Sequence, residues 1–326
     1  LAEPRDSLDY LYLGSSYAYC DVDPVVLYDR TGLTGYVLAG PEQTLSQTYW
    51  YLREALKTQD PALVVLEGSA LAFQKYQSYT QVNVGYMPAG LNQLGAIFTA
   101  AEPELRTGLL FPLYFYHGRW KELTPSEAAA ALLPAGTDAL KGYTPVSGVF
   151  DQIADGPFPR EGLPEDIYAE NLSWLAKIAG LCAQKDIPLA LVFHPTYSQL
   201  PADFRARAAA DAACLDISFF DWTEAGADMG IVPTQHYYDP GHLNQEGASV
   251  FSAWLGTSSL RSWTWSPEPR SRTTPPPGPR PSKTEESKKS PTGGVKYLPW
   301  AIIYSDVVNR SWASRARRAS SALSRP

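Results

Sequence analysis

The chain has 326 residues, 44% hydrophobic and 12% aromatic, ample for a real core in one large or two small domains. No run approaches the ~18 apolar residues of a membrane span. The net charge of -7 conceals an asymmetry: 13 of the 27 Lys/Arg but only 4 of the 34 Asp/Glu fall from Thr257 onward, leaving a body near -16 and a tail near +9. An acidic body of this kind excludes a nucleic-acid groove, which needs basic side chains against the phosphates.

The chain opens on Leu1 rather than Met, from which we expect a signal peptide or membrane anchor ahead of it in the natural protein. Asp9 to Leu13 reads as a buried strand running into Gly14-Ser15-Ser16, a small-residue turn before a helix. Asp23-Pro24 is a helix start, with proline at the first helical position. Thr34 to Leu38 predicts a second strand ending at Ala39-Gly40-Pro41, and a helix follows from about Ser46 with Tyr49, Leu52 and Leu56 on one face. Pro61 to Leu66 is a continuous apolar run, the mark of a strand buried on both faces of a parallel sheet. This alternation is an α/β pattern.

Ala89 to Ala101 and Thr124 to Leu133 predict two further helices, separated by the aromatic stretch Leu113 to Trp120. Residues 134 to 164, rich in Gly and Pro, read as a long loop of the kind used as a lid or binding loop. The α/β rhythm returns with a helix over Glu165 to Gln184, a strand over Ile187 to Phe193 with His194 just past its end, a helix over Ala202 to Ala213 and a strand over Cys214 to Phe220. Gln245 to Leu255 closes the domain as a helix, so the core ends near residue 256. Ten of the 28 prolines lie beyond that point among Arg and Ser, and 257 to 326 reads as a disordered tail. The alternative is that this tail is not native coding sequence, which resequencing around codon 256 tests.

Only four histidines are present, and His242 alone has a carboxylate three residues before it, Asp239, in a turn closed by Pro240 and Gly241. An Asp accepting a hydrogen bond from one imidazole nitrogen fixes the tautomer and frees the other nitrogen to take a proton from a nucleophile. Ser16, past the end of the first strand, is the candidate hydroxyl, because ligands in open parallel sheets sit outside the carboxyl ends of the strands. The plain alternative is a strand-to-helix turn with serine as a cap. Cys20, Cys182 and Cys214 are odd in number and widely spaced, pointing to neither a disulfide framework nor a metal site.

Leu13-Gly14-Ser15-Ser16 and Asp239-Pro240-Gly241-His242-Leu243-Asn244, at opposite ends of one domain, resemble the first and last blocks of the SGNH/GDSL serine hydrolases. The Gly-Ser-Ser form is more similar to the branch holding cell-envelope O-acyltransferases, such as the alginate O-acetylation and D-alanyl-lipoteichoic acid proteins. The resemblance implies a three-layer, flavodoxin-like α/β fold with a mainly parallel sheet over residues 1 to 256, a Ser16-Asp239-His242 triad, and oxyanion donors from the N–H groups of Ser16 and Gly40. It also implies a third donor, an asparagine after the third strand, and here the sequence departs: Leu66 is followed by Glu67-Gly68-Ser69. An ionised Glu67 repels an oxyanion, so it must point away, be protonated by burial, or mark a site that is not hydrolytic.

Substrate contacts are expected from Glu67, His117, Arg119, Trp120 and Asn244, the aromatic and cationic members stacking on a sugar ring or holding an anionic group. His194 and His236 read as structural or surface residues, and a metal site of His236 with Asp239 lacks further ligands at the right spacing. No cofactor or metal is required. The expected reaction is ester cleavage or acyl transfer on an acylated small molecule or carbohydrate, in an extracytoplasmic or membrane-anchored setting with a membrane-bound acyl-transfer partner. Two other classes stay open: a non-catalytic carbohydrate-binding or assembly protein with a degenerate site, and metal-dependent hydrolysis.

Overall fold

The computed structural model describes residues 3–111, 137–150, 152, 157–160 and 163–259. Strand β1 spans Tyr10–Gly14 and helix α1 Ser16–Asp21. Helix α2, Pro24–Thr31, begins where its sequence predicts, with the Asp23 carboxylate accepting the N–H groups of Val25 and Val26 at 2.9 and 3.3 Å. After β2 (Gly35–Ala39), helix α3 (Leu45–Ala55) opens with a reciprocal capping box between Thr44 and Gln47, which starts it slightly earlier than expected. Strand β3, Leu63–Glu67, runs one residue further than its apolar stretch and so includes Glu67.

Helices α4 (Thr80–Gly85), α5 (Leu91–Ala100) and α6 (Pro103–Leu110) follow, of which the sequence predicts only α5. Then come β4 (Phe158–Pro159), α7 (Glu165–Ala183), β5 (Leu189–Phe193), β6 (Ser198–Gln199), α8 (Ala202–Cys214), β7 (Ser218–Asp221), α9 (Pro233–His236) and α10 (Gln245–Trp254). One strand start is corrected. Cys214 ends α8 and Asp216 takes a left-handed φ of 57° in the connecting turn, so pairing begins only at Ser218. The predicted helix over 124 to 133, the aromatic stretch with His117, Arg119 and Trp120, and the tail from 260 lie outside the described residues.

The main sheet has the order β2-β1-β3-β5-β7 with every neighbouring pair parallel. Counting only its five strands, this is the doubly wound order 2-1-3-4-5, and the chain reverses direction across the sheet between β1 and β3. The expected α/β, flavodoxin-like architecture is therefore the one observed. β1, β3 and β5 are buried along their whole length, as strands covered on both faces must be. Leu11 and Leu13 join Val64, Leu66 and Leu191 on the face covered by Leu45 and Leu52 of α3 and by Leu175 and Ile178 of α7. Tyr10 and Tyr12, of the opposite parity, turn to the other face, where α1 and α2 pack with α10.

Residues 137–150 contain neither helix nor strand, yet their backbone is tied down. Lys141 O accepts from Val37 N at 2.8 Å, Thr144 N donates to Tyr19 O at 2.8 Å, and Phe150 N donates to Tyr237 O at 2.9 Å. Among the described residues no helix is long and apolar enough to cross a membrane.

Candidate active site

Parallel pairing sets Gly14 beside Ala39 on β2, so the turns that follow, Ser15-Ser16 and Gly40-Pro41, emerge side by side at the carboxyl edge of the sheet. Gly14 is required by space. A Cβ there would stand 2.8 Å from Glu67 Cβ and 2.9 Å from Ala18 Cβ, so only glycine lets α1 start this close to β3. Ser15 occupies the N-cap of α1 but its side chain caps nothing, and its buried hydroxyl has no partner among the described residues. Ser16, half-buried at the first helical position, points its hydroxyl elsewhere.

That hydroxyl lies 2.8 Å from His242 Nε2. On the other side of the ring, His242 Nδ1 is 2.9 Å from both carboxylate oxygens of Asp239. A carboxylate only accepts, so Nδ1 carries the proton, Nε2 is left as acceptor, and the Ser16 O–H donates to it. Asp239 is itself held: Oδ1 also accepts from Gly241 N at 2.7 Å and His242 N at 2.9 Å. Residues 237 to 243 close into a small loop, bridged between Tyr237 and Leu243, that presents the imidazole. Tyr17 stacks on that ring, centroids 4.9 Å apart and planes 20° from parallel, and stands 3.1 Å from where a Cβ on Gly241 would be. A larger residue at 241 would push Tyr17 away.

The charges agree with this geometry. Burial opposes charging of His242, but the hydrogen bond and negative charge of Asp239, together with the charges of Asp21 and Glu67, outweigh it and leave the imidazole above its ordinary pKa. For Asp239 the order is mirrored: burial pushes the carboxyl up, and the His242 hydrogen bond and charge with two backbone N–H groups bring it below the ordinary carboxylate value. The pair is thus poised to carry an imidazolium against a fixed anion.

The two residues expected to contact substrate that the structure describes take other roles. Glu67 is fully buried, with Oε1 accepting from Ser69 N at 2.8 Å and Oε2 unpartnered among the described residues. It has no surface to offer a substrate, and burial raises its pKa despite the nearby His194 and the Ser69 hydrogen bonds. Of the three options the sequence leaves for Glu67, its burial and raised pKa favour the protonated form, and a site that is not hydrolytic stays open. Asn244 is 4% exposed and caps α10: Oδ1 accepts from Gly247 N at 3.0 Å, while Nδ2 donates to Gly148 O and Gln235 O at 2.9 and 2.6 Å. All its hydrogen bonds are spent on the fold, which corrects the substrate expectation.

Gly40 stands as expected at the end of β2, with no backbone acceptor for its N–H among the described residues. A Cβ on it would come within 2.5 Å of Asn83 Oδ1. Asn83, on α4 after the third strand, was not singled out from sequence. Its amide N–H groups go to Pro41 O and Gln47 Oε1, both at 2.9 Å, so it braces the Gly40 turn. His236 accepts Val232 N on Nδ1 at 3.0 Å and is structural. Among the described residues no group of three or more His, Cys, Asp or Glu is arranged to hold a metal ion.

No family model matches the chain, and no curated protein matches it significantly. Among solved structures it is similar to a "putative acylhydrolase" from Bacteroides fragilis, at 15% identity and TM-score 0.35 over 74% of this chain and 82% of that one. It is similar also to a "GDSL-like lipase" from Bacteroides thetaiotaomicron, at 14% identity and TM-score 0.35 over 76% of this chain and 84% of that one.

Proposed function

We propose that this chain is a serine-dependent enzyme that cleaves or transfers an ester-linked acyl group through an acyl-enzyme on Ser16. The observation that carries the reading is the 2.8 Å contact between Ser16 Oγ and His242 Nε2, backed by Asp239 on Nδ1. In this reading Ser16 Oγ attacks the ester carbonyl as its proton passes to Nε2, and Asp239 stabilises the imidazolium. The N–H groups of Ser16 and Gly40 face the oxyanion. Collapse expels the alcohol, which takes the proton back from Nε2, and a second hydroxyl repeats the sequence to release the acyl group.

With Glu67 buried where an asparagine donor is expected, the oxyanion has two backbone donors rather than three, and each such donor is commonly worth about 3 kcal/mol of barrier. A site of this strength suits an activated acyl donor and a bound acceptor better than an unassisted lipase. The resemblance of Gly14-Ser15-Ser16 to envelope O-acyltransferases supports the finer reading: transfer to a carbohydrate hydroxyl, outside the cytoplasm, with a membrane-bound protein supplying the acyl group. The same Glu67 favours a second reading, a carbohydrate-binding or assembly protein that keeps the fold without turnover.

Release of 4-nitrophenol from 4-nitrophenyl acetate, with and without a sugar acceptor, separates these. Turnover that disappears in Ser16→Ala supports the enzyme, and acetylated sugar in the products supports transfer. Equal background rates for wild type and Ser16→Ala overturn the reading in favour of assembly, and loss of turnover with a chelator would indicate a metal-dependent reaction instead.

A further inference from the structure

Behind the Ser16 cluster lies a second set of polar groups that the proposed chemistry does not use. Tyr12 on β1 sets its hydroxyl 2.6 Å from His194 Nε2. His194, immediately past β5, sets Nδ1 3.0 Å from Asp21 Oδ2. Asp21, the last residue of α1, accepts the N–H of Leu243 on Oδ1 at 2.9 Å. None of the four residues exceeds 3% exposure. Polar groups this deep are expensive unless every partner is in place, and apolar side chains of similar size commonly pack as well. Packing alone therefore does not explain the array.

Its end point does. Leu243 follows His242 directly, so the array connects β1, β5 and α1 to the backbone amide next to the imidazole. The loop is gripped on its other side at Pro240, whose carbonyl accepts from Tyr197 N at 3.0 Å and Ser198 N at 2.7 Å. His242 stands between the two anchors. We infer that Asp21, locked in place by His194 and Tyr12, is a positioning residue for His242: by accepting the Leu243 N–H it sets where the imidazole stands relative to Ser16 Oγ. The consequence for rate rests on the esterase reading; the positional role does not.

A displacement near 1 Å at a reacting group costs about 100-fold in rate, so the test compares wild type with Asp21→Ala, Asp21→Asn and Tyr12→Phe in the full chain. Two quantities are read at temperatures where each variant is folded: the downfield Nδ1–H proton resonance of His242, and the rate of Ser16 modification by a fluorophosphonate. Asp21→Ala should lose the resonance and slow modification about 10- to 100-fold. Asp21→Asn, whose amide oxygen still accepts from Leu243, should keep the resonance and stay within a few-fold of wild type.

A wild-type resonance and rate in Asp21→Ala, with only its melting temperature lowered, would overturn the inference. So would an Asp21→Asn variant as impaired as Asp21→Ala, since the acceptor at Leu243 would then not be what matters. If Asp21→Ala does not fold, Tyr12→Phe is read the same way: a shifted resonance and slower modification support the array, and wild-type values overturn it. Should wild type resist the probe altogether, the esterase reading fails while the resonance still decides the role of Asp21.

Discussion

Two Asp–His pairs of nearly equal length are linked in this fold through the backbone N–H of Leu243 and behave in opposite ways. In His242–Asp239 the imidazole is raised above its ordinary pKa; in His194–Asp21 it is lowered to about 4. Separation does not distinguish them, at 2.9 and 3.0 Å. Solvation does. The His242 and Asp239 side chains keep 22% and 18% of their exposure, against 1% and 0% for His194 and Asp21. Asp239 also gains two backbone N–H donors that favour its anion, whereas Asp21 gains one and burial drives its carboxyl upward. One pair can carry an imidazolium against a fixed anion, and the other is a fixed brace.

The largest effect expected from breaking this contrast is at Asp239. Asp239→Asn removes the anion and reverses the tautomer, so the rate of Ser16 acylation should fall on the order of 10⁴-fold with the fold intact. The same exchange at Asp21 should cost only a few-fold. Comparable losses in both would mean that the pairs do not differ as described.

Next in size is a change that touches neither pair. Leu52 of α3 is fully buried in the main core, on the face of the sheet away from Tyr12, and Leu52→Ala should cost about 2–5 kcal/mol by urea unfolding. Its acylation rate should stay near wild type while folded, which separates positioning from general stability.

pH sharpens the comparison further because the two signs are opposite. His194 has a depressed folded pKa, so the unfolded chain binds its proton first. The stability it supports is full above about 6.5, is lost as pH falls through about 4, and amounts to about 3 kcal/mol. His242 has a raised folded pKa, so its contribution is full below the ordinary imidazole value and is lost as pH rises through the folded one. Urea midpoints from pH 8 to pH 4 should therefore fall most steeply on the acid side, and His194→Gln should flatten that fall. Ser16 acylation, which needs neutral His242, should rise with pH to a midpoint above the ordinary imidazole value. The smallest effect is at the α3 capping box, where Thr44→Ala should cost about 1 kcal/mol by urea unfolding.

Much of this was legible in the sequence because it is local. Continuous apolar runs mark the buried strands, Asp23-Pro24 marks a helix start, and the Asp239 to His242 turn carries its own geometry. The convergence of Ser16 with His242, 226 positions apart, was readable only through the pairing of two motifs at the ends of one domain. The direction of Glu67 was not readable, since a strand ending in a carboxylate looks the same whether that carboxylate meets solvent or lies beneath a glycine. The capping role of Asn244 does have a local signal, because an asparagine directly before a helix is a cap before it is anything else. Asp21 carried a fainter signal, an acid inside the apolar stretch Tyr17 to Val22, but its partners come from β1, β5 and the last loop, and no local pattern joins them. Helices α4 and α6 escaped because segments of six and eight residues show too little periodicity.

The central claim is that His242 activates Ser16. Site-resolved mass spectrometry after brief exposure to a fluorophosphonate tests it most directly, run on wild type and His242→Ala side by side. The account predicts an adduct on Ser16 in wild type and almost none in the variant. No adduct on Ser16 in wild type, or one formed equally fast without His242, would contradict it.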